Sequence, residues 1–291
     1  MKNFKGVFTA LLTPFDENGK INEASLAALI EDNIARGVSG FYVTGSTGES
    51  FLLTDEERRQ VMRAVKKFAG DRVTLICHIG AVSTGASISL AKEAEALGYD
   101  AISAVAPFYY KFSFEEVKQH YFSIVDAVSL PMIIYNFPGF TGVHLSVDQI
   151  GQFLRDPRFL GVKHTATDYF ALRQFKTAFP DKVIYNGYDE TFLAGLSMGA
   201  DGAIGSTFNF MAEKFVKIQK LFSEQKMEEA MKVQEEADVI IAALCKCGVM
   251  QGEKAILKAK GIDFGTTRAP FLPLSPQAEK ELLDTVLPLI S

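Results

Sequence analysis

The chain has 291 residues, a formal net charge of −5 and 48% hydrophobic residues. That length supports a large core in one or two domains. The basic residues are scattered and outnumbered by acidic ones, which excludes the basic face of a nucleic-acid binder.

No run reaches the roughly 18 apolar residues of a membrane span. The opening stretch "MKNFKGVFTALLTPF" passes into a turn and has no small-residue cleavage site, so it is not read as a signal peptide. The three cysteines, Cys77, Cys245 and Cys247, are too few for a disulfide framework and suit a reducing cytoplasm. Cys245 and Cys247 read as packing residues, because no His/Cys cluster accompanies them.

Eight short runs rich in β-branched or aromatic residues follow in chain order: 6–14, 40–46, 73–81, 101–108, 131–138, 159–166, 182–188 and 202–208. Several are apolar on both faces, as parallel strands covered on both sides are. Helical patterns alternate with them. "NEASLAALIEDNIARG" has helical apolar spacing and ends in glycine. "TDEERRQVMRAVKKFAG" opens with Thr54 and has Glu57 three residues on, a capping-box pattern.

Eight strand–helix units in succession predict an α/β fold, a closed (β/α)₈ TIM barrel, rather than an open doubly wound sheet. No G-x-G-x-x-G follows the first strand. The barrel is expected over residues 1–223, with a C-terminal helical extension over 224–291 packed on it as a layer.

In such a barrel the chemistry sits at the C-terminal ends of the strands. "FLGVKHTAT" carries Lys163 inside an otherwise apolar strand. Alternation puts Lys163 and Thr165 on one face. Val162 and Leu160 are expected to face the helices, which turns Lys163 into the barrel with Gly161 beneath it leaving room. A desolvated lysine loses basicity and becomes a nucleophile able to form a Schiff base with a ketone. The alternative is a lysine that snorkels to the mouth.

"TGSTGES" after the second strand exposes backbone amides that suit a carboxylate, or it is an ordinary turn. Tyr135 ends the strand beside Lys163 as a proton carrier or a core tyrosine. Asp189 and Glu190 either bind substrate hydroxyls or cap the next helix. The glycines of "GADGAIGS" are a loose match to a phosphate cradle. Of the four histidines only His78 is expected near the mouth. His120 reads as a helix residue, His164 as helix-facing, and His144 stands apart, so no metal site is indicated.

"GSTGES", "YNFPGFTG", "GVKHTATD" and "GADGAIGS" resemble motifs of the N-acetylneuraminate lyase and dihydrodipicolinate synthase superfamily. The resemblance runs from about residue 6 to the C-terminal helices, and "GYDE" and "AVAPFYYKFSFEE" are similar to its lyase branch. The synthase branch has an arginine for a second carboxylate where Gly139 or Phe140 stands here.

The resemblance implies a class I aldolase that cleaves N-acetylneuraminate to pyruvate and N-acetylmannosamine. A 2-keto-3-deoxy sugar acid aldolase and dihydrodipicolinate synthase are the alternatives. It implies a Schiff base on Lys163, no cofactor, and acid/base work by Tyr135 relayed through Ser46 and either Tyr109 or Tyr110. The amides of Ser46 and Thr47 would hold the carboxylate. Thr165, Gly187, Asp189, Glu190 and Ser206 would hold the hydroxylated chain. Ala166 departs from the serine many relatives have. The resemblance further implies a homotetramer with small-molecule partners only.

Overall fold

The computed structural model describes residues 2–290. Eight parallel strands pair in sequence order and close into a barrel. They are β1 (Gly6–Ala10), β2 (Gly40–Val43), β3 (Thr74–His78), β4 (Ala101–Val105), β5 (Met132–Asn136), β6 (Phe159–His164), β7 (Val183–Asn186) and β8 (Gly202–Gly205). Each is shorter than its apolar run. Most of the surplus residues follow the last paired residue of their strand. These strand-end segments carry Ser46, Thr165 and Gly187 into the mouth, the Thr165 and Gly187 amides still donating to the neighbouring strands.

The helices around the barrel are α1 (Glu23–Ala35), α2 (Asp55–Ala69), α3 (Thr84–Ala96), α4 (Phe114–Val125), a short α5 (Pro138–Thr141), α6 (Val147–Leu154), α7 (Tyr169–Ala178), α8 (Phe192–Ser197) and α9 (Phe208–Ser223). Their starts follow from local chemistry. Thr54, Ser113 and Ser146 each cap a helix reciprocally with the Glu or Gln three residues on. Three further helices follow: α10 (Met227–Cys247), α11 (Val249–Ala259) and α12 (Pro276–Val286). Their apolar faces, with Ile240, Leu244, Ile256 and Leu282, join the same core that packs α1–α9 on the strands.

A separate inner core fills the barrel with Phe8, Tyr42, Ile76, Ile133, Tyr135 and Tyr185, among others. On β6 the expected alternation fails at one place. Met132 of β5 pairs with Phe159, and the next residue, Ile133, pairs with Gly161, so Leu160 is bulged. Leu160 therefore packs against the inner core and not the helices. Val162 does face the helices, and Lys163 faces in.

Gly161 has a different reason from the expected spare room. A Cβ there would lie 1.9 Å from the carbonyl oxygen of Val183, so the glycine admits the β7 backbone. The glycines of "GADGAIGS" are likewise not a phosphate cradle. A Cβ on Gly202 would meet the Gly6 carbonyl oxygen at 1.9 Å, and one on Gly205 would meet Asp189 Oδ1 at 2.2 Å.

Candidate active site

Lys163 pairs with Tyr135 on β5 and Tyr185 on β7, one layer below the strand ends. Its side chain is 4% exposed. Nζ lies 4.2 Å from the centre of the Tyr135 ring and 4.7 Å from that of Tyr42. These rings hold the amine by their faces without giving it a counter-charge. The Tyr42 hydroxyl hydrogen-bonds the Ser103 hydroxyl at 2.9 Å, which fixes that ring. Burial pulls the Lys163 ammonium down from 10.5 to about 7, and the more distant Asp189 carboxylate opposes this. A substantial fraction of the amine is therefore free base at neutral pH.

Above the amine opens a cavity of about 600 Å³. It is lined by Ser46 and Thr47 after β2, Tyr135 of β5, Lys163 of β6 and Thr165 just beyond it, Gly187, Asp189 and Glu190 after β7, and Ser206 after β8. Nine of the expected site residues thus come together. Tyr109 and Tyr110 do not. They are 84% and 63% exposed, lie against each other, and neither lines the cavity.

Burial raises the Tyr135 phenol above its ordinary range, with the Ser46 and Thr165 hydroxyls beside it working the other way. The Thr165 hydroxyl is buried and has no hydrogen-bond partner in this geometry. Gly187 is required here, since a Cβ would sit 1.8 Å from Thr165 Oγ1.

The loop after β2 turns back on itself: the Glu49 amide donates to the Ser46 carbonyl at 3.0 Å and the Ser50 amide to the Gly45 carbonyl at 3.3 Å. The Ser46 and Thr47 amides donate to no backbone carbonyl and border the cavity. Two free amides in a tight turn suit a carboxylate.

The turn is held from behind by Glu49, a residue in the left-handed region at φ 58°. Its two oxygens accept from Lys254 Nζ and the Arg268 amide, each at 2.7 Å. Arg268 in turn pairs with Glu57, the capping-box residue of α2, and holds its carboxyl down at about 2. Lys254 and Arg268 carry no signal in the sequence, since Glu49 lies 205 and 219 residues away from them.

Asp189 caps a helix, but not the one that follows it. Its Oδ2 accepts from the Thr207 amide at 2.8 Å and the Thr207 hydroxyl at 2.7 Å, at the start of α9. Burial raises its carboxyl to about 6. The far wall comes from the C-terminal helices, through Ile241, Leu244 and Cys245 of α10 and Val249 and Met250 of α11. Cys245 is therefore an exposed cavity residue and not the packing residue expected.

His78 is also displaced from expectation. It is fully buried, its Nδ1 is 2.9 Å from the Thr44 carbonyl oxygen, and burial lowers it to about 3. His164 faces the helices and bridges Asn136 and the Asp168 carbonyl oxygen, both at 3.0 Å. Among the described residues no group of three or more His, Cys, Asp or Glu side chains is placed to hold a metal ion. Among them, too, no helix is long and apolar enough to cross a membrane.

The dihydrodipicolinate synthetase family model matches residues 3–287. The chain belongs to that family. Solved structures within the family's reach share the fold closely. A Clostridium difficile protein solved in complex with mannosamine is 38% identical, with a TM-score of 0.96 over 99% of this chain and 100% of its own. The N-acetylneuraminate lyase of Fusobacterium nucleatum is 38% identical, with a TM-score of 0.94 over 99% of both chains. A dihydrodipicolinate synthase of Bacillus anthracis is 30% identical, with a TM-score of 0.94 over 98% of both chains. The solved structures similar to this chain thus include an N-acetylneuraminate lyase and a dihydrodipicolinate synthase. The walls of the cavity have to decide between the reactions.

Proposed function

We propose that the protein is a class I aldolase that cleaves N-acetylneuraminate to pyruvate and N-acetylmannosamine. The observation that carries this reading is the polarity of the cavity. The turn after β2 offers two free amides for a single carboxylate. The segments after β7 and β8 offer Asp189, Glu190 and Ser206, acceptors and a hydroxyl that suit a chain of sugar hydroxyls. Among the described residues Lys163 is the sole basic side chain lining it. A synthase acceptor with a second carboxylate would meet acidic groups and no arginine, because Gly139 and Phe140 occupy that wall. Two relatives support this reading: a Ruminococcus gnavus sialic acid aldolase 32% identical to this chain was solved as a catalytic lysine mutant, and the Fusobacterium lyase was solved with pyruvate.

The mechanism follows from the amine. Neutral Lys163 attacks the C2 ketone and water leaves, giving a protonated imine. The C4 hydroxyl gives its proton to the Tyr135 phenol oxygen as that phenol passes its own proton to the Ser46 hydroxyl. Ser46 passes its own to the substrate carboxylate, from which one proton later returns to C3. The C3–C4 bond breaks, its electrons run to the imine nitrogen, and the sugar aldehyde departs. Protonation of the enamine at C3 and hydrolysis restore Lys163 and release pyruvate. The imine is the electron sink, so the reaction calls on no cofactor. Tyr109 or Tyr110 joins the relay only if a second copy presents it, and the four-copy assembly that the resemblance implies is one way to supply that copy.

The test is twofold. Borohydride with pyruvate is expected to leave a stable adduct on Lys163, located by mass spectrometry. N-acetylneuraminate is expected to yield pyruvate faster than other 2-keto-3-deoxy sugar acids. A chain that forms the adduct but condenses pyruvate with an acidic aldehyde, leaving the sugar acid intact, is a synthase.

A further inference from the structure

Glu253 lies on α11, one turn beyond Val249 and Met250, which wall the cavity. Its side chain is fully buried, and neither carboxyl oxygen has a hydrogen-bond partner among the described residues. No other carboxyl among them is left in that state. Burying such a group is unfavourable, and a leucine would fill the same space without that penalty. Packing therefore does not account for it.

Its charged and polar neighbours come from three elements. Ser206 stands at the end of β8, Asp189 follows β7, and Lys254 is next to it on its own helix. Lys254 is committed to Glu49. Ser206 and Asp189 are both cavity residues. Burial raises the Glu253 carboxyl to about 8, with Ser206 drawing it back and Asp189 pushing it up. At neutral pH it is an acid with one proton to donate.

We propose that Glu253 is a positioning residue for the hydroxyl-binding end of the cavity: in its neutral form it hydrogen-bonds the Ser206 hydroxyl and so orients Ser206 toward a hydroxyl of the bound sugar acid. The proposal rests on the sugar-acid reading above. Glu253 touches neither the amine nor the carbons that react. When it ionises, two carboxylates share one dry compartment, Ser206 turns to the new charge, and the sugar chain loses its partner.

The experiment reads a ratio: the KM for N-acetylneuraminate divided by the pyruvate concentration that gives half-maximal borohydride trapping. Titration of Lys163 affects both and cancels. In the wild type the ratio is expected to climb about tenfold from pH 7 to pH 9, since only the neutral acid supports the sugar. E253Q, which cannot ionise, is expected to flatten the climb. E253L is expected to raise the ratio about fivefold at pH 7, the equivalent of one lost hydrogen bond, and to raise Tm. An unchanged alkaline climb in E253Q overturns the proposal, as does an E253L protein with the wild-type ratio. A wild type that traps pyruvate but does not cleave the sugar acid overturns the function instead.

Discussion

Among the described residues two lysines are buried, and their surroundings differ in one respect. Lys254 is 2% exposed and Lys163 is 4% exposed. Each lies over aromatic rings, Lys254 over Phe15 at 4.4 Å and Lys163 over Tyr42 and Tyr135. Burial lowers the pKa of both. Lys254, however, has a carboxylate at 2.7 Å, and that partner raises it again. Lys163 has only a distant Asp189 to oppose its desolvation. One ammonium is thereby retained as half of a strut, and the other amine is released as a nucleophile. Burial alone does not make a lysine reactive; the absence of a paired acid does.

The sharpest break of that comparison is to delete each amine in turn. Lys163→Ala is expected to lower kcat/KM by at least about 10⁴-fold and to abolish borohydride trapping. Lys254→Met is expected to act on folding, costing about 3–5 kcal/mol in urea denaturation by leaving Glu49 buried and unpaired. Adding Glu49→Gln should then recover much of that loss. A Lys254→Met protein as stable as wild type would show that the strut contributes nothing.

Tyr135→Phe keeps the ring beneath the amine and removes the proton carrier. It is expected to lower kcat by about 10²-fold while pyruvate is still trapped. A smaller effect concerns pH. The free amine appears as pH rises through about 7, so the acidic limb of kcat/KM should fall about tenfold per unit below that value.

The same depression has a consequence for stability. Lys163 is about 7 folded against 10.5 ordinarily, so its unfavourable contribution is absent above 10.5 and grows as pH falls toward 7. Lys163→Met should therefore gain on the wild type progressively from pH 10 to pH 7 in paired denaturation curves. A constant difference across that range would mean the amine is not desolvated in the folded state.

Much of the frame was legible because it rests on local periodicity. The eight strands, the order of helices and the capping box at Thr54 each have a signature within a few residues of chain. Lys163 was legible too, although the facing argument survived a partial failure: the bulge at Leu160 broke the alternation beneath it. The rest depends on contacts with no sequence period. Glu49 and Lys254 meet across 205 residues, and Glu253 reaches Ser206 from another layer of the fold. Cys245 looked like packing because a helix pattern does not say which face borders a cavity.

The wall supplied by α10 and α11 has a consequence for how such a chain can be varied. The amine, the phenol and the free amides after β2 all precede residue 207, while residues between Ile241 and Gln251 complete the lining. Under the proposed function, substitutions on the α10 and α11 wall are expected to alter the fit of the leaving aldehyde while the amine and the phenol stay in place. Such changes have to spare Lys254 and Arg268, because Lys254 and the Arg268 amide hold Glu49 directly behind the turn after β2.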